Sequence, residues 1–194
     1  MDAPNVVLVT GPPGTGKSTL ASGLAPELNA TVLGWDWAMA AMTWCEPVQA
    51  TFTSLDLATY RRIGWSILWS LGEAQLREGR SIVLDGLARK EEVAASRALA
   101  RRLGARPLVV ATECSDVSLL RARVEGRHRA IPGWHELSWD HVTDVLTRWT
   151  VPSDVDVSID SAYVDEASAV DIALSALRST TGGAGPDSPP CPLG

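Results

Sequence analysis

Two hydrophobic rhythms alternate along the chain. Short apolar, β-branched runs are followed by longer stretches in which apolar residues recur every three or four positions. The short runs predict parallel strands buried on both faces at 5–10 (NVVLVT), 31–34 (TVLG), 81–84 (SIVL), 107–112 (PLVVAT) and 155–160 (VDVSID). The helical spacing predicts helices at 17–28, 36–42, 54–78, 91–103, 116–126, 138–149 and 165–178. In the longest of these, Leu57, Tyr60, Gly64, Ile67, Leu68 and Leu71 form the predicted stripe, and Gly79 is its stop signal. Residues 45–53 show neither rhythm and read as irregular.

Strands alternating with helices imply an α/β fold: a three-layer αβα sandwich around a five-stranded parallel sheet, with right-handed crossovers. Ligands in such sheets sit at the carboxyl ends of the strands, so Gly11–Ser18, Asp36, Asp85–Gly86 and Thr112–Cys114 carry the functional weight.

Composition narrows the picture. The 194 residues suffice for one well-cored domain, assigned to 1–179, while 180–194 (TTGGAGPDSPPCPLG) lacks the apolar content to fold and is expected to be disordered. No apolar run approaches the roughly 20 residues of a membrane span, and no secretory signal precedes the first strand. With Cys45, Cys114 and Cys191 far apart in sequence, reduced thiols in the cytoplasm are expected. His128, His135 and His141 do not form a metal-ligand pattern. A net charge of −6 argues against a nucleic-acid partner. The basic side chains are nearly all arginine, Lys17 and Lys90 being the lysines, which makes the position of Lys17 informative.

Lys17 closes Gly11-Pro-Pro13-Gly14-Thr15-Gly16-Lys17-Ser18, a G-x-x-x-x-G-K-[ST] phosphate loop between the first strand and first helix, followed by Thr19. Its glycines let backbone amides turn toward phosphate oxygens without a Cβ in the way. The helix N-terminus adds roughly half a positive charge. Lys17 is expected on the β- and γ-phosphates of ATP and Ser18 on Mg²⁺. No N-K-x-D guanine-reading element occurs, so a GTPase is disfavoured.

GPPGTGKST, LGWDWAMAAM, REGRSIVLDGLARKEEV and VATECSDVSLLRARVEGRHR together resemble the AAA-type P-loop kinases, a group including chloramphenicol-phosphotransferase-like, zeta-toxin-like and gluconate-kinase-like proteins. The resemblance runs from residue 5 to about 178, and the first stretch is the specific one. It implies a nucleoside-monophosphate-kinase-like fold, with an Arg-rich lid at about 127–137 and an acceptor region at about 35–70. It also implies an ATP- and Mg²⁺-dependent phosphotransferase acting on a hydroxyl of a small molecule. By that resemblance Asp36 is the catalytic base or holds the acceptor hydroxyl, and Asp85 holds the metal with Ser18. Arg123 would lie against adenine, with Arg127 and Arg129 on the phosphates. Lys17 and Arg127 would stabilise charge during transfer.

Each role has a plainer counterpart. Asp36 suits a helix cap, Asp85-Gly86 a turn, and the arginines a solvated helix end. Trp37 and Arg61 are the candidate acceptor contacts. Trp35, Trp37, Trp44, Trp65 and Trp69 suit either an aromatic pocket or core, and Arg61-Arg62 either an acidic acceptor or solvent. Two other functions are compatible with the phosphate loop: a nucleotide-gated assembly ATPase without a phosphorylated substrate, and a polynucleotide or tRNA 5′-hydroxyl kinase. The flanks of Asp36 lack the basic residue expected of the latter.

Overall fold

A computed structural model describes residues 3–179; the tail expected at 180–194 lies outside them. The elements run β1 (Asn5–Thr10), α1 (Lys17–Leu28), β2 (Ala30–Gly34), α2 (Trp35–Met42), α3 (Glu46–Phe52), α4 (Leu57–Arg77) and β3 (Ser81–Asp85). They continue as α5 (Lys90–Arg102), β4 (Arg106–Glu113), α6 (Val117–Glu125), α7 (Trp139–Arg148), β5 (Val157–Asp160) and α8 (Glu166–Ser179). The five strands are parallel in the order β2-β3-β1-β4-β5, with Val7 opposite Val83 on one side and Leu108 on the other.

Strand alternation sends β1 side chains into two cores. Val6 and Leu8 join Ile82 and Leu84 under Trp65, Leu68 and Leu76 of α4 and Val93 and Leu99 of α5. Val7 and Val9 join Val83, Leu108 and Val110 under Leu20 and Leu24 of α1 and Ala173 and Leu177 of α8. Both faces are therefore covered, as the continuous apolar runs require.

Three expectations are corrected. Residues 46–52 form α3 rather than an irregular stretch. Pro47 in its first turn is preorganised for a helix, but none of its residues is buried, so there was no apolar stripe to detect. Helix α4 starts at Leu57 rather than residue 54, because the Asp56 carboxylate accepts the Thr59 N–H at 2.9 Å and caps it. Its buried face is also rotated from the predicted stripe: Gly64, Trp65, Leu68, Gly72 and Leu76 face inward, while Leu57 and Leu71 are 58% and 50% exposed. The glycines, which carry no hydrophobic signal, mark where the helix comes closest to its neighbours.

Candidate active site

The loop after β1 is shaped by glycines where side chains do not fit. Gly11 has φ +150°, and a Cβ there would lie 2.1 Å from the Thr112 carbonyl oxygen. Gly14 and Gly16 also have positive φ, and Gly16 is the N-cap of α1 with no side chain closing the helix end. The leading amides of α1 are thus left for an anion. Thr15 Oγ1 braces the loop by donating to the Pro12 carbonyl at 2.8 Å, and it lies 2.7 Å from Thr112 Oγ1.

Lys17 Nζ donates to the Pro12 carbonyl at 2.8 Å. Burial lowers its pKa, against the raising effect of Asp85 and Asp36, while Arg127 and Arg129 lower it further. Asp85, at the end of β3, is affected in the opposite sense. Burial raises its pKa, opposed by the Lys17 charge and a hydrogen bond with Ser18. The strand-end carboxylate and the loop hydroxyl line the same cleft.

Two clefts open on this loop. One, of about 490 Å³, lies between Gly14–Leu20, Thr112, Arg123, Arg127 and the segment after β5. There Arg123 is clamped on Ser161, with Nη1 donating to Oγ at 2.8 Å and Nη2 to the carbonyl oxygen at 2.9 Å. Ser161 and Val164 of this cleft were missed in the sequence. The strand-end rule that singled out the earlier strands points to them once it is applied to the fifth.

The second cleft, of about 750 Å³, is lined by Asp36, Asp85, Trp35, Trp37, Tyr60 and Arg61, and by side chains from 127–149. Lys17, Ser18 and Arg127 line both cavities, so the clefts meet at the phosphate loop.

Asp36 lies in the first turn of α2, whose N-cap is Gly34 with no side-chain cap bond, so its carboxylate is not spent on capping. Instead Arg129 Nη1 donates to Asp36 Oδ2 across 93 positions of sequence. Arg129 is held from within its own segment, its Nη2 donating to the His135 carbonyl at 2.7 Å and its backbone N–H to Glu136 Oε1 at 3.0 Å. Its side chain is only 4% exposed against 42% for Asp36. The structure thus sets Arg129 on the candidate base, with its charge also acting on Lys17. The Arg127 side chain makes no hydrogen bond among the described residues and faces both clefts.

Arg61 is neither solvated nor unpaired. Its Nη2 donates to Glu92 Oε1 at 2.9 Å, and both side chains are largely buried where α4 meets α5. Burial lowers its pKa, opposed by Glu92 and reinforced by the nearby Arg89 charge. The tryptophans divide. Trp65 is core, Trp69 packs against it, Trp35 lies between core and cleft, and Trp37 lines the cleft while 57% exposed. Sequence reading placed the acceptor region at 35–70 and missed Arg89, Trp134, His141, Arg148 and Trp149. These come from the loop after β3, from 127–137 and from α7, which only the fold brings to the same cavity. No helix among the described residues is long and apolar enough to cross a membrane.

The geometry agrees with comparisons to known proteins. Uncharacterized proteins of Mycobacterium tuberculosis and Mycobacterium bovis are 33% identical over 129 residues, covering 63% of this chain. The chain spans about a quarter, 25%, of the length of these curated relatives. A gluconokinase from Sinorhizobium meliloti superposes with a TM-score of 0.66 at 18% identity, over 94% of this chain and 96% of the other. The Mycobacterium tuberculosis APS kinase CysC, in complex with AMPPNP and APS, superposes with a TM-score of 0.61 at 16% identity, over 92% and 99% of the two chains. A family model described as an AAA domain matches residues 6–148, from β1 to the end of α7. The chain belongs to this AAA-domain family, and its fold is that of the P-loop kinases.

Proposed function

We propose that this protein is an ATP- and Mg²⁺-dependent phosphotransferase whose acceptor is a hydroxyl group of a small molecule. One observation carries the reading: a nucleotide-sized cleft and a larger, aromatic-lined cleft meet at Lys17, Ser18 and Arg127, with Asp36 and Asp85 on the acceptor side. A simple ATPase needs only the first cleft.

In this reading the acceptor oxygen attacks the γ-phosphorus and forms the new P–O bond. The bond from that phosphorus to the β,γ-bridging oxygen breaks, and ADP leaves with the electron pair. The hydroxyl proton passes to the Asp36 carboxylate. Such proton removal contributes about 10²–10⁴-fold. Lys17 and Arg127 offset negative charge that spreads over the phosphoryl oxygens, the term on which this chemistry mostly depends. Arg129 engages Asp36 through Oδ2, so Oδ1, which has no hydrogen-bond partner among the described residues, is the oxygen that would take the proton.

Ser18 and Asp85 offer a hydroxyl and a carboxylate on the wall of one cleft, hard oxygen donors of the kind Mg²⁺ takes. A cation there would also compensate the buried Asp85 charge. When bound, Mg²⁺ would neutralise phosphate charge; Ser18 and Asp85 would hold it.

The test is ADP release in the presence of ATP and Mg²⁺ across a panel of hydroxylated metabolites, amino sugars and antibiotics, with mass detection of the product. Asp36→Asn is expected to cut acceptor-dependent release by at least ~10²-fold while leaving nucleotide affinity nearly intact. Turnover that persists without any acceptor and is untouched by Asp36→Asn would instead identify an ATPase.

A further inference from the structure

The acceptor cleft carries two groups of cations. At the phosphate loop its carboxylates, Asp36 and Asp85, sit among Lys17, Arg127 and Arg129. A second group, Arg61, Arg89 and Arg148, also lines the cleft. Arg61 and Arg89 are close enough for each charge to act on the other. Arg148 joins them through its neighbour: the Trp149 indole donates to the Ala88 carbonyl at 3.3 Å, which brings the end of α7 against the residue before Arg89. Arg61 is tied to Glu92 and Arg148 to Asp144, but the Arg89 side chain makes no ion pair among the described residues.

The same cleft has an aromatic wall. Trp35 meets the Tyr60 ring edge-on at 5.5 Å and the Trp134 ring at 6.1 Å, both at 72°. The Trp134 indole N–H is buried without a hydrogen-bond partner among the described residues. The whole chain carries a net charge of −6, yet six cationic side chains line this one cavity against two carboxylates. Arg89 alone of the second group has a side chain without an ion pair among the described residues, and a planar guanidinium fork suits carboxylate or phosphate oxygens.

We infer that the acceptor is an anionic alcohol built on a ring. Its hydroxyl lies at Asp36, its ring lies along Trp35, Tyr60 and Trp134, and its carboxylate or phosphate is held by Arg89 with Arg61 and Arg148. This deepens the phosphotransferase reading and rests on it for the fate of the hydroxyl. A neutral alcohol of the same size leaves Arg89 unmatched.

The test uses the full chain with its nucleotide cleft saturated by Mg·AMPPNP, so that an anion cannot simply occupy the phosphate loop. Three probes share a ring and a hydroxymethyl group: 4-(hydroxymethyl)benzoate, 4-(hydroxymethyl)phenyl phosphate and the neutral 4-(hydroxymethyl)benzamide. Calorimetric titration is expected to show at least one anion binding about tenfold or more tightly than the amide, as a charge-assisted contact implies. Whichever anion binds better identifies the group the arginines select. Arg89→Gln is expected to bring anion and amide to within about twofold while the melting temperature stays close to wild type, since Arg89 is exposed and makes no ion pair among the described residues. Equal binding of anion and amide would overturn the inference. So would an anion preference unchanged in Arg89→Gln, or no binding of any probe. A parallel assay with ATP separates this from the function proposed above. Anion-selective binding without ADP release supports the ligand class and removes phosphoryl transfer; release indifferent to the anionic group does the reverse.

Discussion

Gly64 offers a sharp test of how the acceptor wall is built, because two opposing effects can be weighed there. It lies within α4, where replacing glycine by alanine ordinarily stabilises a helix by about 1 kcal/mol. Here an added Cβ would stand 2.2 Å from Trp35 Nε1, 2.6 Å from Trp35 Cε2 and 2.9 Å from Met39 Sδ. Met39 can shift, but the indole is fixed by its contacts with Tyr60 and Trp134 and by a long bond to the Arg61 carbonyl at 3.4 Å. Overpacking of this kind costs about 1–3 kcal/mol, and each displaced edge-to-face pair about 0.5–1.5 kcal/mol more. The clash therefore wins, and Gly64→Ala should lower stability by on the order of 1–3 kcal/mol. In a protein of this size that is a fall in melting temperature of roughly 3–10 °C. Thermal melts followed by circular dichroism measure it directly. The same substitution tilts Trp35 out of the wall, so the acceptor KM should rise while nucleotide affinity is unchanged. A Gly64→Ala protein as stable as wild type, or more stable, would refute the close seating of Trp35 on α4.

Two further predictions come from the charges. Arg61→Ala strands the Glu92 carboxylate, which also accepts the Arg89 N–H at 2.7 Å, in a largely buried position. A loss of about 3 kcal/mol is expected in urea melts, partly recovered by adding Glu92→Gln; a neutral single variant would show the pair to be solvated. The pH profile of kcat/KM should be narrowed from both sides. Lys17, its pKa lowered by burial, loses its positive charge as pH rises, starting below the usual lysine range. Asp85, its pKa raised by burial, loses its negative charge as pH falls, starting above the usual carboxylate range. A profile flat across the whole span between ordinary carboxylate and lysine values would contradict both assignments.

Local physics makes one half of this protein legible in its sequence. A β-branched run buried on both faces, a loop whose glycines are the residues that tolerate its turns, and a lysine at the mouth of the following helix are adjacent in the chain. They determined the parallel α/β sheet and the phosphate loop without tertiary information. Asp36 and Asp85 were legible for the same reason, since each lies at the carboxyl end of a strand and strand ends converge on one edge of the sheet. The acceptor cavity was not, because its parts have no common neighbourhood in sequence. Arg129 reaches Asp36 from 93 residues away, Arg61 turns to Glu92 on another helix, and Arg89, Trp134 and Arg148 meet only after α5, the 127–137 segment and α7 have packed. The face of α4 was misread because the predicted stripe left out Trp65, Gly72 and Leu76; at Gly72 a missing side chain admits a neighbour. Hydrophobic periodicity registers what a residue carries, and only the packed structure decides what an absent side chain makes room for.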